Sequence, residues 1–141
     1  MPVPPEYKRA GDDFYAFLID VRDRSGLWST HVTYTMVQGV LQVFRRRLTF
    51  HQAIAFAQVL PVGLRALFVS DWEVDDPIEP FGTREEMTEE VKRLRFKHNF
   101  SADTAIEDVA SGLRKHVDNE RLDRLLDQFP EGAKAFWQIT D

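Results

Sequence analysis

Four histidines, an acidic stretch at 70–82 and two clusters of basic residues are the groups in this 141-residue chain that could hold an ion or move a proton. Arg45, Arg46 and Arg47 stand together, and Arg114, Lys115 and His116 stand together 69 residues later. Adjacent cations can bind a phosphate or a carboxylate, so Arg45, Arg46 and Arg47 are a candidate anion contact. The plainer account is that cations close a helix and face the negative end of its dipole. His31, His51, His98 and His116 are the available nitrogen ligands and proton carriers. None stands four residues from another, and no His-Glu-x-x-His pattern occurs, so no metal or cofactor is expected.

Asp71, Glu73, Asp75, Asp76 and Glu79 resemble a loose calcium loop. Counted from Asp71, the sixth position is Asp76 rather than glycine and the twelfth is Gly82 rather than glutamate, so the motif fails. Glu85 with Glu89, and Asp118 with Glu120, are carboxylate pairs, but their places are those of acids at helix starts. There is no nucleophile elbow, phosphate loop or dinucleotide fingerprint. With no cysteine, thiol chemistry and disulfides are excluded. An enzyme is not expected. The basic run from Lys92 to His98 could suggest RNA contact, but only Phe96 and Phe100 accompany it as stacking platforms. The chain's net charge of −5 also argues against nucleic acid as a partner.

That charge is unevenly spread: net +1 over residues 1–11, +2 over 12–69 and −8 over 70–141. Opposite signs in one chain suit mutual attraction of its halves or head-to-tail packing of copies. No apolar run approaches the ~20 residues of a membrane span. The start, MPVPPEYKRAGDD, lacks the apolar core of a secretory signal. A cytoplasmic protein is expected, with no membrane contact.

The elements that position these groups are written twice. QVLPVGLRALF, residues 58–68, is matched by DQFPEGAKAFW, residues 127–137. Pro61 falls on Pro130, Gly63 on Gly132, Arg65 on Lys134, Leu67 on Phe136 and Phe68 on Trp137. At the same offset of 69 and without a gap, Thr35 falls on Thr104, Val37 on Ile106, Val40 on Val109 and Arg45 on Arg114. A fixed period marks a repeated structural unit. Met36, Val37, Val40, Leu41 and Phe44 recur at helical spacing, as do Ile106, Val109, Ala110 and Leu113, with Ser101 as the expected cap of the latter helix. Thr49 with Gln52, and Thr83 with Glu86, have capping-box spacing. Pro61 and Pro130 each stop one helix and open the next. An extra helix leads each copy, beginning near Asp12 and near Thr83. The expectation is an all-α fold of seven or eight helices packed as one bundle. Its divisions are an extended lead-in at 1–11, repeat one at 12–69, an acidic linker at 70–82 and repeat two at 83–141.

Each copy has an apolar helix ending in a basic cluster, a polar turn, then a helix reaching a Leu/Phe-Pro step. This resembles the small bacterial helical proteins grouped as domain of unknown function 2267. Phe17 and Val21, and Met87 and Val91, fill the places of that family's leading-helix residues. Leu60, Pro61 and Leu64 keep its Leu-Pro step, with Phe129, Pro130 and Ala133 as the second form. The resemblance covers roughly residues 12–137. It implies a helical fold and brings no catalytic residues.

One asymmetry between the copies points toward function. Phe50, Ile54, Ala55, Val59 and Val62 correspond to Asn119, Asp123, Arg124, Gln128 and Glu131. Where copy two is polar, copy one is apolar, and a bare apolar patch is uncommon. Phe50, Ile54, Val59 and Val62 are therefore a candidate protein-interaction face, for a second copy or another protein. The plain alternative is that the leading helix, the linker with Trp72 and Ile78, or copy two covers it. The expectation is a non-enzymatic helical interaction module. A small-ligand or anion-binding protein, using Arg45 to Arg47 or the cleft between repeats, is the alternative.

Overall fold

Each segment of helical periodicity forms a helix in the computed structural model, which describes residues 2–94 and 100–140. Among the described residues there are nine α-helices and no strand: α1 (Pro5–Lys8), α2 (Ala10–Ser25), α3 (Thr30–Arg45), α4 (Phe50–Ala57), α5 (Val62–Val69), α6 (Arg84–Arg93), α7 (Ala105–Arg114), α8 (Asn119–Leu126) and α9 (Glu131–Phe136).

Helix ends follow local chemistry. Thr49 Oγ1 accepts from the Gln52 amide at 3.1 Å while Gln52 Oε1 accepts from the Thr49 amide at 2.9 Å, closing the box before α4. Thr83 and Glu86 do the same before α6. Ser29 caps α3 and Asp118 caps α8. Pro61 and Pro130 stand at the N-caps of α5 and α9. Two expectations are corrected. The lead-in is not extended throughout: Pro5 pre-sets helical φ at the first position of α1, and α2 already begins at Ala10. This short turn brings the helix number to nine. The helix expected from Ser101 begins four residues later, at Ala105, after a turn in which the Ala105 amide donates to Ala102.

The helices interlock across the chain's midpoint. The leading helix α2 packs most extensively on α7, and the second leading helix α6 packs on α3, so each half's leader lies on the other half's central helix. The core is shared as well. Phe44 of α3 lies 4.8 Å from Phe56 of α4, 5.0 Å from Phe136 and 5.3 Å from Trp137, while Phe56 stacks on Trp137 at 5.6 Å. All of these rings are fully buried. Each stabilises the fold by roughly 2–3 kcal/mol through burial. The paired glycines have one use: Gly63 seats the Phe14 side chain and Gly132 seats that of Phe81. A Cβ at these positions would come within 2.9 Å and 2.4 Å of the respective Phe Cβ atoms. Among the described residues no helix is long and apolar enough to cross a membrane.

Candidate binding groove

Residues 70–82 contain no helix. What holds them is the basic triplet at the end of α3. Arg45 is 5% exposed, and its guanidinium turns away from solvent toward the end of α5. Its Nη1 donates to the carbonyls of Phe68 and Ser70, both at 2.8 Å, and its Nη2 to that of Asp71 at 3.3 Å. The last carbonyls of a helix lack partners within it, and a buried arginine fork meets that need directly. Asp71 adopts a left-handed conformation, φ 50°, which turns the chain back over α3. Trp72 then lies with its ring centre 5.1 Å from the Arg45 guanidinium carbon and 5.5 Å from the ring centre of Phe50, the two rings at 73°. Burial pushes the Arg45 pKa down, and so does the neighbouring Arg46, while Asp71 opposes them.

Arg46 and Arg47 fix the linker's far end. The Glu79 amide donates to the Arg46 carbonyl at 3.0 Å, and Arg47 Nε donates to the Pro80 carbonyl at 3.1 Å. Arg47 Nη1 also bonds the Val43 carbonyl at 2.8 Å and Glu90 Oε2 at 2.7 Å. Arg46 Nη1 stands 3.6 Å from Glu90 Oε1. The triplet therefore clamps residues 70–71 on one side and 79–80 on the other. The segment between them forms an arch: Trp72 stays against Arg45 and Phe50, while residues 73–78 are exposed.

Under this arch lies a groove of about 490 Å³, lined by the end of α3, the start of α4 and residues 71–78 of the linker. Leu48, Phe50, Trp72, Val74 and Ile78 supply apolar surface, and Arg45, Arg46, Asp71, Glu73 and Asp76 supply charge. Phe50, Val74 and Ile78 are each more than half exposed, as is Ile54 one turn along α4. The carboxylates of Glu73, Asp75, Asp76 and Glu79 form no ion pair among the described residues.

The structure divides the candidate face. Phe50 and Ile54 are exposed and adjacent on α4, whereas Val59 packs against the core and Val62 is half-buried at the start of α5. Of the candidate anion contact, Arg45 and Arg46 line the groove, but Arg47 is buried with carbonyls and Glu90. His31 and His51 are exposed on separate helices, and His116 Nε2 lies 2.6 Å from Asp20 Oδ2. Of the basic run from Lys92, the part from Arg95 to His98 lies outside the described residues; Lys92 itself pairs with Asp103 and Glu89. Sequence reasoning treated Trp72 and Ile78 only as a cover and left Val74 out. The available signal was their number: a purely solvated linker has no use for three large apolar side chains.

The fold's landmarks match one family over most of the chain. Residues 14–136 fit the family described as "Uncharacterized conserved protein (DUF2267)". The chain belongs to the DUF2267 family. The matched span takes in α2 from Phe14 onward, the whole of α6, both Pro-x-Gly steps and the whole groove-forming linker. No curated protein matches the chain at a significant level.

Proposed function

We propose that this DUF2267 protein is a non-enzymatic, cytoplasmic bacterial interaction module, built from a duplicated helical unit, that takes a segment of a partner protein into the groove beneath its linker. The observation that carries this reading is that exposed Phe50, Val74 and Ile78 line a groove with an aromatic wall at Trp72, with Ile54 exposed one turn along α4. Clustered large apolar side chains left in water are characteristic of contact surfaces. The groove's volume lies within the range of about 300–1,000 Å³ that takes a few side chains. The clamp by Arg45 and Arg47 keeps the arch formed before a partner arrives, which lowers the ordering cost of binding.

Panning a displayed peptide library against the wild-type protein and a Phe50→Glu/Ile78→Glu variant tests this. Both substituted side chains are exposed, so the variant is expected to fold, checked by circular dichroism. Peptides enriched on the wild type should slow amide exchange at 70–78 and lose binding to the variant. Equal enrichment on both proteins, or none on either, would sink the reading.

A second reading is supported by Arg46, the least occupied cation of the triplet, with a side chain 36% exposed at the groove wall. A small ligand with an apolar body and a carboxylate would suit it. Strong salt dependence of binding, removed by Arg46→Gln, separates this ligand class from a peptide held by apolar contact.

A further inference from the structure

The groove reading leaves its occupant open, and two features of this chain have complementary chemistry. One is the acidic arch, where Glu73 and Asp76 border the groove without an ion-pair partner among the described residues. The other is the arm before α2. Its helix α1 buries no residue, Val3 and Tyr7 are about half exposed, and the side chains of Lys8 and Arg9 form no ion pair among the described residues. The arch is apolar with two acids that form no ion pair among the described residues, beside an Arg46 drawn toward Glu90, and the arm is apolar with two bases that form none there either, beside Glu6.

Resting on the groove reading above, we propose that the groove accepts the N-terminal arm, residues 2–9, of a second copy of this chain. Tyr7 enters between Phe50, Trp72 and Ile78, where its ring gains apolar contact and its hydroxyl stays at the rim. Lys8 and Arg9 then face Glu73 and Asp76, which fixes the arm's direction. Pro4 and Pro5 restrict the free arm's backbone, so less freedom is lost on docking. An arm of eight residues in one groove is a small interface, so association is weak and concentration-dependent. Its charged rim makes it salt-sensitive.

The test is weight-average mass by light scattering across concentration at low salt, for four samples. The wild type should rise above the 16.4 kDa of one chain as concentration increases. Lys8→Glu/Arg9→Glu and Glu73→Lys/Asp76→Lys should each weaken association by roughly tenfold or more. An equimolar mixture of the two variants should recover it, because each reversed surface then meets its complement. All four substituted residues are exposed, and recovery in the mixture itself excludes misfolding. A wild type that stays at one-chain mass overturns the proposal, as does association indifferent to either charge pair, or a mixture that does not recover. Peptide enrichment on the wild-type groove in the same preparation would then leave the groove reading standing without self-docking. Its loss would remove both.

Discussion

Arg45 and Arg114 stand 69 residues apart and make the same bond. Arg45 donates to the carbonyl of Phe68 and Arg114 to that of Trp137, again 69 residues apart and each at 2.8 Å. Around this shared contact the two regions differ. Arg45 continues along the chain to Ser70 and Asp71 and is roofed by Trp72. Arg114 turns to side chains, Asn119 Oδ1 at 3.1 Å and Asp123 Oδ1 at 2.9 Å. The first half thus uses its arginine to hold a loop, and the second to tie the end of α7 to side chains of its own next helix, α8. The third member of each cluster crosses between halves: Arg47 reaches Glu90 on α6, and His116 reaches Asp20 on α2.

A hollow also exists in the second half, about 470 Å³ between α6, α7 and the chain after α9. Arg84 crosses it to the carbonyls of Ala135, Phe136 and Gln138, and Thr140 is held by Glu107. None of its lining residues is an exposed large apolar one. Hollows of similar volume thus differ in what they can hold according to their lining. One groove keeps apolar surface in water, while the other is crossed by internal hydrogen bonds.

The largest expected difference between the regions is at the paired arginines. Arg45→Met leaves three carbonyls without their donor and should cost about 3 kcal/mol in urea unfolding, with faster amide exchange at 70–78. Arg114→Met, at a more exposed site, should cost about 1 kcal/mol and leave that exchange unchanged. Equal costs would mean that the loop contributes nothing to the first site.

The glycines sharpen the same contrast at smaller scale. Gly132→Ala brings a Cβ to 2.4 Å from Phe81 Cβ, and Gly63→Ala to 2.9 Å from Phe14 Cβ. Overpacking should cost about 2 kcal/mol at the former and about 1 kcal/mol at the latter, read as a lower Tm. A reversed order would show that the Phe81 segment yields more easily than α2.

The smallest effect is a pH dependence from a carboxyl that the second half carries and the first half lacks at the matching place. Asp108 is buried where the first half has Gly39, and it accepts from Thr104 Oγ1 at 2.7 Å and Arg24 Nε at 3.2 Å. Burial pushes its carboxyl above the ordinary 3.8, against the pull of Thr104 and Arg24. Such a group adds its full stability below its unfolded pKa and loses it as pH rises through the folded one. The stability of the wild type relative to Asp108→Asn should therefore fall as pH rises from about 3 toward neutrality. Tm measured for both proteins across that range checks it, and a relative gain with pH would reverse the assigned sign.

The helices were legible because their signals are local. Periodic apolar positions, the Thr49–Gln52 box and the two prolines act within a few residues of themselves, and the helices from α2 onward follow from such signals. The groove was legible only in its helical wall, through Phe50 on α4 and through Arg45 and Arg46 at the end of α3. Its other wall depended on where the linker lies, and nothing in an acidic, proline-bearing stretch marks what it will pack against.

By itself the sequence determined the eight longer helices, most of their boundaries and that cations gather at the ends of α3 and α7. Tertiary structure decided what those cations do. The acceptors of Arg45 and Arg47 are mostly backbone carbonyls, and every residue has one, so no residue type announces which will be used. Only the crossing of α3 beside the end of α5, and of α6 against α3, brings the donors to residues 68–71, 80 and 90.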